Sequence, residues 1–421
     1  MQKTSFDLIV IGAGPGGYVG AIRAAQLGMN VACIERRATL GGTCLNVGCI
    51  PSKALLNASE QFANAASGSL GNMGVSVGKV TLDLDQMMQS KSDVVDTLTG
   101  GIDFLFKKNK ITRLEGTASI IESGKIKIVA GKDKGDYQAE KIMIATGSHP
   151  TSLPGITIDE NRIVSSTGAL SLDTLPKKMS VIGAGYIGLE LGTVWARLGT
   201  EVEVIEYLPR ILPGMDSEVA KKFMAIVRKQ GLKFRLGTAV KSAKPGKNGV
   251  TLTVSPAEGG AEETIKADIA LVSVGRNPAT DGLGLDKLGV TMTPRGRIAV
   301  DARFETSIED IYAIGDVVEG PMLAHKAEED AVAAVEMMAG KAGHVDYDQV
   351  PGIVYTAPEI ATLGKSEDVL RDDGIEYARG VFPFSANSRA RAQGHPDGFV
   401  KILACAKTDK GLGVHIIGHE A

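Results

Sequence analysis

The chain carries one βαβ glycine unit twice, and no other feature constrains its fold as much. Phe6 to Ile11 is a short apolar run, followed by Gly12-Ala13-Gly14-Pro15-Gly16-Gly17 and a helical pattern ending near Leu27-Gly28. Val31 to Ile34 reads as a second strand, closed by Glu35. The unit returns as Met179 to Ile182, Gly183-Ala184-Gly185-Tyr186-Ile187-Gly188, a helix to Leu198-Gly199, and a strand ending at Glu206. The acid stands 23 residues after the first glycine in both copies. In such a unit the first glycine makes the tight turn and the second lets a pyrophosphate approach the backbone. The third allows the helix to pack closely on the strand, and the helix N-terminus holds the anion. The closing acid suits a ribose 2′-hydroxyl. Two intact units imply two dinucleotides, unless one is a relic of duplication. Each copy also has a later apolar strand and glycine turn, at Lys141 to Gly147 and Ile269 to Gly275.

The first copy holds an extra stretch, Gly41 to Lys53, with Cys44 and Cys49 inside it. A regular helix, rising about 1.5 Å per residue, sets such a pair more than a turn apart. A disulfide needs Cα atoms roughly 4.4–6.8 Å apart. Gly48 gives the freedom to bend the first turn so that the sulfurs meet. The pattern then reads as a strained disulfide at a helix start, where the positive dipole end favours a thiolate. Two free core cysteines or half of a metal site are the alternatives. The spacing does not suit a zinc knuckle and no second pair exists, so no metal is expected.

Composition narrows the class. The 421 residues suffice for two to four domains. A net charge of −3 and scattered Lys and Arg give no reason to expect nucleic acid or an anionic membrane as the main partner. No apolar run reaches membrane-spanning length, and Met1 to Ser5 shows no signal or transit features. A cytoplasmic protein of bacterial type is expected, or a mitochondrial matrix protein after removal of a transit peptide. Four cysteines are too few for a disulfide scaffold, so in a reducing compartment a paired motif reads as catalytic.

From about Ala54 to Lys110 the pattern is helical. Arg276-Asn277-Pro278 reads as a boundary loop. Ile311 to Ile314 reads as a strand running into Gly315-Asp316, whose acid either binds sugar hydroxyls or only forms the turn. A helix is expected from about Ala324 to Ala339, with its N-terminus near Leu323-Ala324-His325 suited to negative charge on a reduced ring system. From about Tyr347, Pro351, Pro358 and Pro383 punctuate short alternating strands, as in an antiparallel sheet domain.

Seven motifs together resemble the FAD-dependent pyridine nucleotide-disulfide oxidoreductases. They are GAGPGGY at Gly12, GGTCLNVGCIPSK at Gly41, ATGS at Ala145, GAGYIGLE at Gly183, SVGRNP at Ser273, YAIGD at Tyr312 and LAHKAEE at Leu323. The resemblance implies an α/β chain with two Rossmann-like dinucleotide-binding domains and an incomplete C-terminal α+β interface domain. Its implied domains are 1–149 for FAD with the redox disulfide, 150–276 for NAD, 277–348 completing the FAD site, and 349–421 for dimerisation. It assigns Gly12, Gly14, Gly17, Glu35, Gly42, Thr43, Lys53, Gly116, Thr146, Gly147, Ser148, Asp316, Met322, Leu323, Ala324 and His325 to FAD. Gly183, Gly185, Tyr186, Ile187, Gly188, Glu206, Val240 and Gly275 go to the nicotinamide nucleotide. Cys49 is implied as the thiolate against the flavin and Cys44 as the thiol that meets substrate, with Lys53 paired to Glu190 beside the ring.

The implied reaction is oxidation of dihydrolipoyl groups through the disulfide and FAD, with reduction of NAD to NADH. A lipoyl domain of an acyltransferase core, in the 2-oxo acid dehydrogenase complexes, is the implied partner. Within the family, the IPSK tail after Cys49 and the carboxylate of Glu206, which repels a 2′-phosphate, argue against a glutathione-type reductase. Mercuric reductases carry a further C-terminal cysteine pair, and only Cys405 lies outside the first domain here. The family's acid–base histidine lies in a His-Pro-x-x-x-Glu segment given to the partner subunit. At His395-Pro396, Val400 stands in the place of the Glu, and His419 and Glu420 are adjacent. The expectation is therefore a missing interface segment and a weakened homodimer, with a non-catalytic or dye-reducing subunit as the alternative role.

Overall fold

The computed structural model describes residues 4–421. The chain divides into two compact units, one formed by 1–51, 92–149 and 276–347, the other by 52–91, 150–275 and 348–421.

The first unit is built on a seven-stranded sheet. Its order is Thr112–Glu115, Val31–Glu35, Ser5–Ile11, Gly135–Ile144, Lys125–Ala130 and Thr117–Glu122, with Ile311–Ala313 also paired to Gly135–Ile144. The strands around Ser5–Ile11 are parallel, in the register Leu8 to Val31 and Leu8 to Lys141. Parallel strands buried on both faces read as unbroken apolar runs. Leu8 and Val10 pack with Ala21 and Ala24 of the helix Pro15–Gln26 and with Ala331 and Ala334 of the helix Ala324–Met338. Ile9 and Ile11 face the other side, among Ile126, Ile128, Ile142 and Ile144. Small residues where the two helices cover the sheet let their backbones come close.

The second unit repeats the βαβ plan. Its five parallel strands run Lys233–Arg235, Glu201–Ile205, Lys178–Ile182, Ile269–Val272 and Ile163–Val164. The helix Tyr186–Arg197 buries Trp195 completely, and its indole N–H donates to the Ala169 carbonyl at 3.1 Å. A three-stranded antiparallel sheet, Thr238–Gly246, Gly249–Pro256 and Glu263–Ala267, covers the opposite face through Leu252 and Val254. The C-terminal residues form a five-stranded antiparallel sheet, ordered Gly352–Val354, Glu359–Gly364, Gly411–Gly418, Phe399–Cys405 and Tyr377–Pro383. No helix among the described residues is long and apolar enough to cross a membrane.

Candidate active site

The helix expected around the cysteine pair is broken into two. Gly42–Val47 stops at Gly48, and a second helix, Cys49–Ala66, starts at the next residue. A Cβ on Gly48 would lie 2.9 Å from the Thr43 carbonyl oxygen, so the break needs glycine. It brings the Cα atoms of Cys44 and Cys49 to 4.6 Å, and the two sulfurs are joined in a disulfide. Both residues are half-buried, and Cys49 opens its helix. A thiolate released there lies at the positive end of the helix. Cys33 is free and buried in its strand, where burial pushes its thiol far up. Cys405 is free and half-buried, and the Thr408 hydroxyl leads the bonds that lower its thiol.

The two glycine cradles share one geometry. Gly12 and Gly183 both turn at φ +102°. A Cβ would lie 2.5 Å from the Ala145 carbonyl in the first and 2.6 Å from that of Ser273 in the second. On Gly17 or Gly188 it would collide with the carbonyl of Gly12 or Gly183. Glu35 accepts from the Ala13 N–H at 2.9 Å and the Arg37 N–H at 2.9 Å. Glu206 repeats this with Ala184 at 2.7 Å and Leu208 at 2.8 Å. Each acid is thus pinned at the strand end by two backbone donors.

These cradles fit dinucleotides. Gly14 and Gly185 begin their helices with no side chain capping the N-terminus. A Cβ on Gly185 would meet nothing within 4 Å. Gly42 packs so tightly on the Gly14 backbone that a Cβ would sit 2.5 Å from the Gly14 Cα, bringing the start of the Gly42–Val47 helix, with Thr43, against the first cradle. Tyr186 and Ile187 form the first turn of the second helix, and Gly275, at φ +130°, follows the strand Ile269–Val272. Val240 lies half-buried in the strand Thr238–Gly246 against that unit's core.

The other residues expected at the first cradle gather from three segments of the first unit. The Gly116 N–H donates to the Glu35 carbonyl at 2.9 Å, and a Cβ there would strike Ile128 and Ala130. Thr146 donates its hydroxyl to the Ala279 carbonyl at 2.6 Å, and Gly147 takes φ +72°. Ser148 donates to Asp316 Oδ2 at 2.5 Å and accepts from Arg276 Nε at 2.7 Å. Asp316 is half-buried, and its other oxygen accepts no hydrogen bond among the described residues. Met322 and Leu323 precede the helix that Ala324 and His325 begin, and no side chain caps it.

Lys53 and Glu190 meet in the second unit, with Nζ 2.8 Å from Oε2. Sequence reading missed two further members of this group. Ser52 donates to Glu190 Oε2 at 3.2 Å, and the Tyr355 N–H donates to Oε1 at 2.9 Å. The Tyr355 ring covers the Lys53 ammonium at 4.4 Å. Ser52 adjoined a named residue and was within reach, whereas nothing near Tyr355 in sequence signals its partner. His395 and His419 are both exposed and stack on each other, ring centroids 4.0 Å apart.

A disulfide at a helix start, inside one of two dinucleotide folds, defines a dinucleotide-dependent disulfide oxidoreductase. The chain belongs to the pyridine nucleotide-disulphide oxidoreductase family, whose model matches residues 6–331 and whose dimerisation domain matches residues 350–421. That second match supports a homodimer. The expectations of a missing interface segment and a weakened dimer find no support in it. The chain is 54% identical over 417 residues to mitochondrial dihydrolipoyl dehydrogenase of Pisum sativum, covering 99% of this chain and 83% of the relative. It is 53% identical over 422 residues to the mitochondrial dihydrolipoyl dehydrogenase of Homo sapiens, covering 99% and 82%. A solved Cu(II) complex of the HOCl-induced flavoprotein disulfide reductase RclA from Escherichia coli superposes with TM-score 0.87 at 28% identity. It covers 100% of this chain and 90% of that one.

Proposed function

We propose that this chain is an FAD-dependent dihydrolipoyl dehydrogenase that reduces NAD. The observation that carries the reading is the Cys44–Cys49 disulfide at the opening of a helix, in the unit that holds the first dinucleotide cradle. One thiolate of a dihydrolipoyl group attacks Cys44 Sγ, forming a mixed disulfide and breaking the bond to Cys49, which leaves as a thiolate. The second substrate thiol, losing its proton, attacks the lipoyl sulfur of the mixed disulfide. The cyclic lipoyl disulfide forms, and Cys44 leaves as a thiolate that takes up a proton. The two cysteines then hold the electron pair. FAD held by the first cradle would supply the two-electron chemistry that links this dithiol to NAD.

The first cradle, with Glu35, Gly42, Thr43, Gly116, Thr146, Gly147, Ser148, Asp316 and the start of the helix Ala324–Met338, holds FAD. Lys53, fixed by Glu190, supplies a positive charge to the redox reaction. The second cradle, with Tyr186, Ile187, Val240 and Gly275, holds NAD, and Glu206 turns away a 2′-phosphate. By function the chain divides into FAD, NAD, central and interface parts at the boundaries 149, 276 and 348. The macromolecular partner is a lipoyl domain on an acyltransferase core. The pea and human relatives are mitochondrial by name, which supports a mitochondrial matrix location over a bacterial cytoplasm.

The test is to mix the purified protein with dihydrolipoamide and NAD and follow NADH. NADH formation that requires the dithiol, and is not given by glutathione, is expected. No NADH from dihydrolipoamide would sink the reading.

A further inference from the structure

Gly315 joins the strand Ile311–Ala313 to Asp316, and its φ of +73° lies in the left-handed region. The helix Ala324–Met338 holds both of its peptide groups. The Gly315 N–H donates to Asp330 Oδ2 at 3.0 Å, and Lys326 Nζ donates to the Gly315 carbonyl at 2.9 Å. Lys326 and Asp330, one helical turn apart, form an ion pair of 2.7 Å with neither side chain exposed. The Tyr347 hydroxyl donates to Asp330 Oδ1 at 2.9 Å, and the Tyr347 ring covers Lys326 Nζ at 4.9 Å.

A buried ion pair is a poor source of stability, because an apolar pair of similar volume often does as well or better. Burial works against the Lys326 ammonium and lowers it, while Asp330 and then Asp316 oppose that shift. What the pair does supply is aim. It binds the N–H and the C=O of one residue, and that residue precedes Asp316. A left-handed glycine has wide backbone freedom, and here both of its polar groups are tied.

We propose that Lys326, Asp330 and Tyr347 are positioning residues for the FAD site, an inference that rests on the reading of Asp316 as an FAD ligand. The clamp fixes the Gly315–Asp316 peptide so that the Asp316 carboxylate stays directed at a sugar hydroxyl. Ser148, itself bonded to Arg276, holds one oxygen of that carboxylate.

The test measures how fast FAD leaves the full-length holoenzyme on dilution, read as the rise in flavin fluorescence. Asp330→Asn is expected to speed release by about 10–100-fold, as for lost hydrogen bonds to a charged group. Tyr347→Phe, which leaves the ion pair intact, should speed it by about 3–10-fold. Groups that act through one another are not additive. In an Asp316→Ala background, either substitution should therefore add less than about twofold. Release rates that stay at the wild-type value in both variants, or effects that persist in full beside Asp316→Ala, would overturn the clamp. Where Asp330→Asn does not fold, Tyr347→Phe and its combination with Asp316→Ala decide the question alone. Wild-type protein purified without flavin would instead overturn the FAD reading, and the clamp with it.

Discussion

The Lys53 ammonium lies 2.8 Å from the Glu190 carboxylate, which is 3% exposed and also accepts from Ser52 and the Tyr355 N–H. The acid is thus satisfied on both oxygens, and the lysine cannot leave without stranding a buried charge. Among the described residues Lys53 has no second anchor of comparable strength, because the Tyr355 ring contributes only a cation–π contact.

Glu190→Leu is accordingly predicted to lower dihydrolipoamide–NAD turnover by about 10–100-fold, the range of a lost charge-assisted hydrogen bond. Glu190→Gln, which keeps both acceptor and shape, should lose less. Steady-state rates, read beside urea midpoints, separate catalysis from folding. Full turnover in Glu190→Leu would mean that the pair only packs.

Glu206 predicts a preference for NADH over NADPH. Its two oxygens already accept from Ala184 and Leu208, so the charge cannot swing away from an incoming 2′-phosphate. The ratio of kcat/KM for the two nucleotides, measured with a dye acceptor, should narrow by at least about tenfold in Glu206→Gln. An unchanged ratio would place nucleotide selection elsewhere.

Lys401 is the most testable structural group. It is fully buried, yet its ammonium meets Asp216 at 2.9 Å, Glu218 at 3.3 Å and Glu367 more closely still. Lys401→Met leaves Glu218 to Arg379 and the exposed Lys222, and Glu367 to Arg379 and Arg371, while Asp216 keeps no ion-pair partner among the described residues. A loss of about 3–5 kcal/mol in urea denaturation is predicted. A loss below about 1 kcal/mol would show that the charges were never desolvated.

The same cluster sets a pH window. Burial works to raise Asp216, but Lys401 and the Glu367 and Val219 N–H groups outweigh it and hold the carboxyl low. Its stabilising effect is therefore full above its ordinary value of about 3.9 and is lost as pH falls through the lower folded value. His415, paired across the sheet with Lys401, is lowered chiefly by burial. Its contribution is full above about 6.5 and fades as pH falls. Urea midpoints should thus hold steady from about pH 7 to 9, decline below about 6.5 and fall steeply below about 4. His415→Gln should remove the first decline alone. A midpoint that is flat from pH 7 to 5 in the wild type would contradict the assignment of His415.

The sequence was most legible where burial is two-sided. The run around Leu8, Ile9 and Val10 has no polar face, so a buried strand follows from composition alone. Gly12, Gly17, Gly183 and Gly188 were legible because a Cβ at any of them would strike backbone. The antiparallel sheet Thr238–Ala267 was not seen, because Lys241, Ser242 and Lys244 face solvent or half-face it and blur the alternation. Lys401 shows the limit differently. It shares the inward face of its strand with Phe399 and Leu403, a position that pattern alone reserves for apolar residues. Its carboxylates come from Asp216 and Glu367, far along the chain. Tyr355 likewise meets Glu190 across 165 residues, and Asp330 acts on a glycine 15 residues before it. Such contacts exist only once the fold has formed.

Cys33 and Cys405 bear on thiol chemistry, since both are free. In the native oxidised protein Cys405 should react with a thiol reagent and Cys33 should not, because burial keeps Cys33 protonated and out of reach. Denatured oxidised protein should show two thiols, and reduced protein four, the full cysteine count. Four thiols without reduction would deny the disulfide.

The Cys44–Cys49 bond is the group through which a dithiol delivers its electrons. The most direct measurement compares wild type, Cys44→Ser and Cys49→Ser in two assays on one preparation: NAD reduction by dihydrolipoamide, and dye reduction by NADH. Both serine variants should lose dihydrolipoamide–NAD turnover by orders of magnitude while NADH-driven dye reduction persists. Substantial dihydrolipoamide turnover in either variant would contradict the claim.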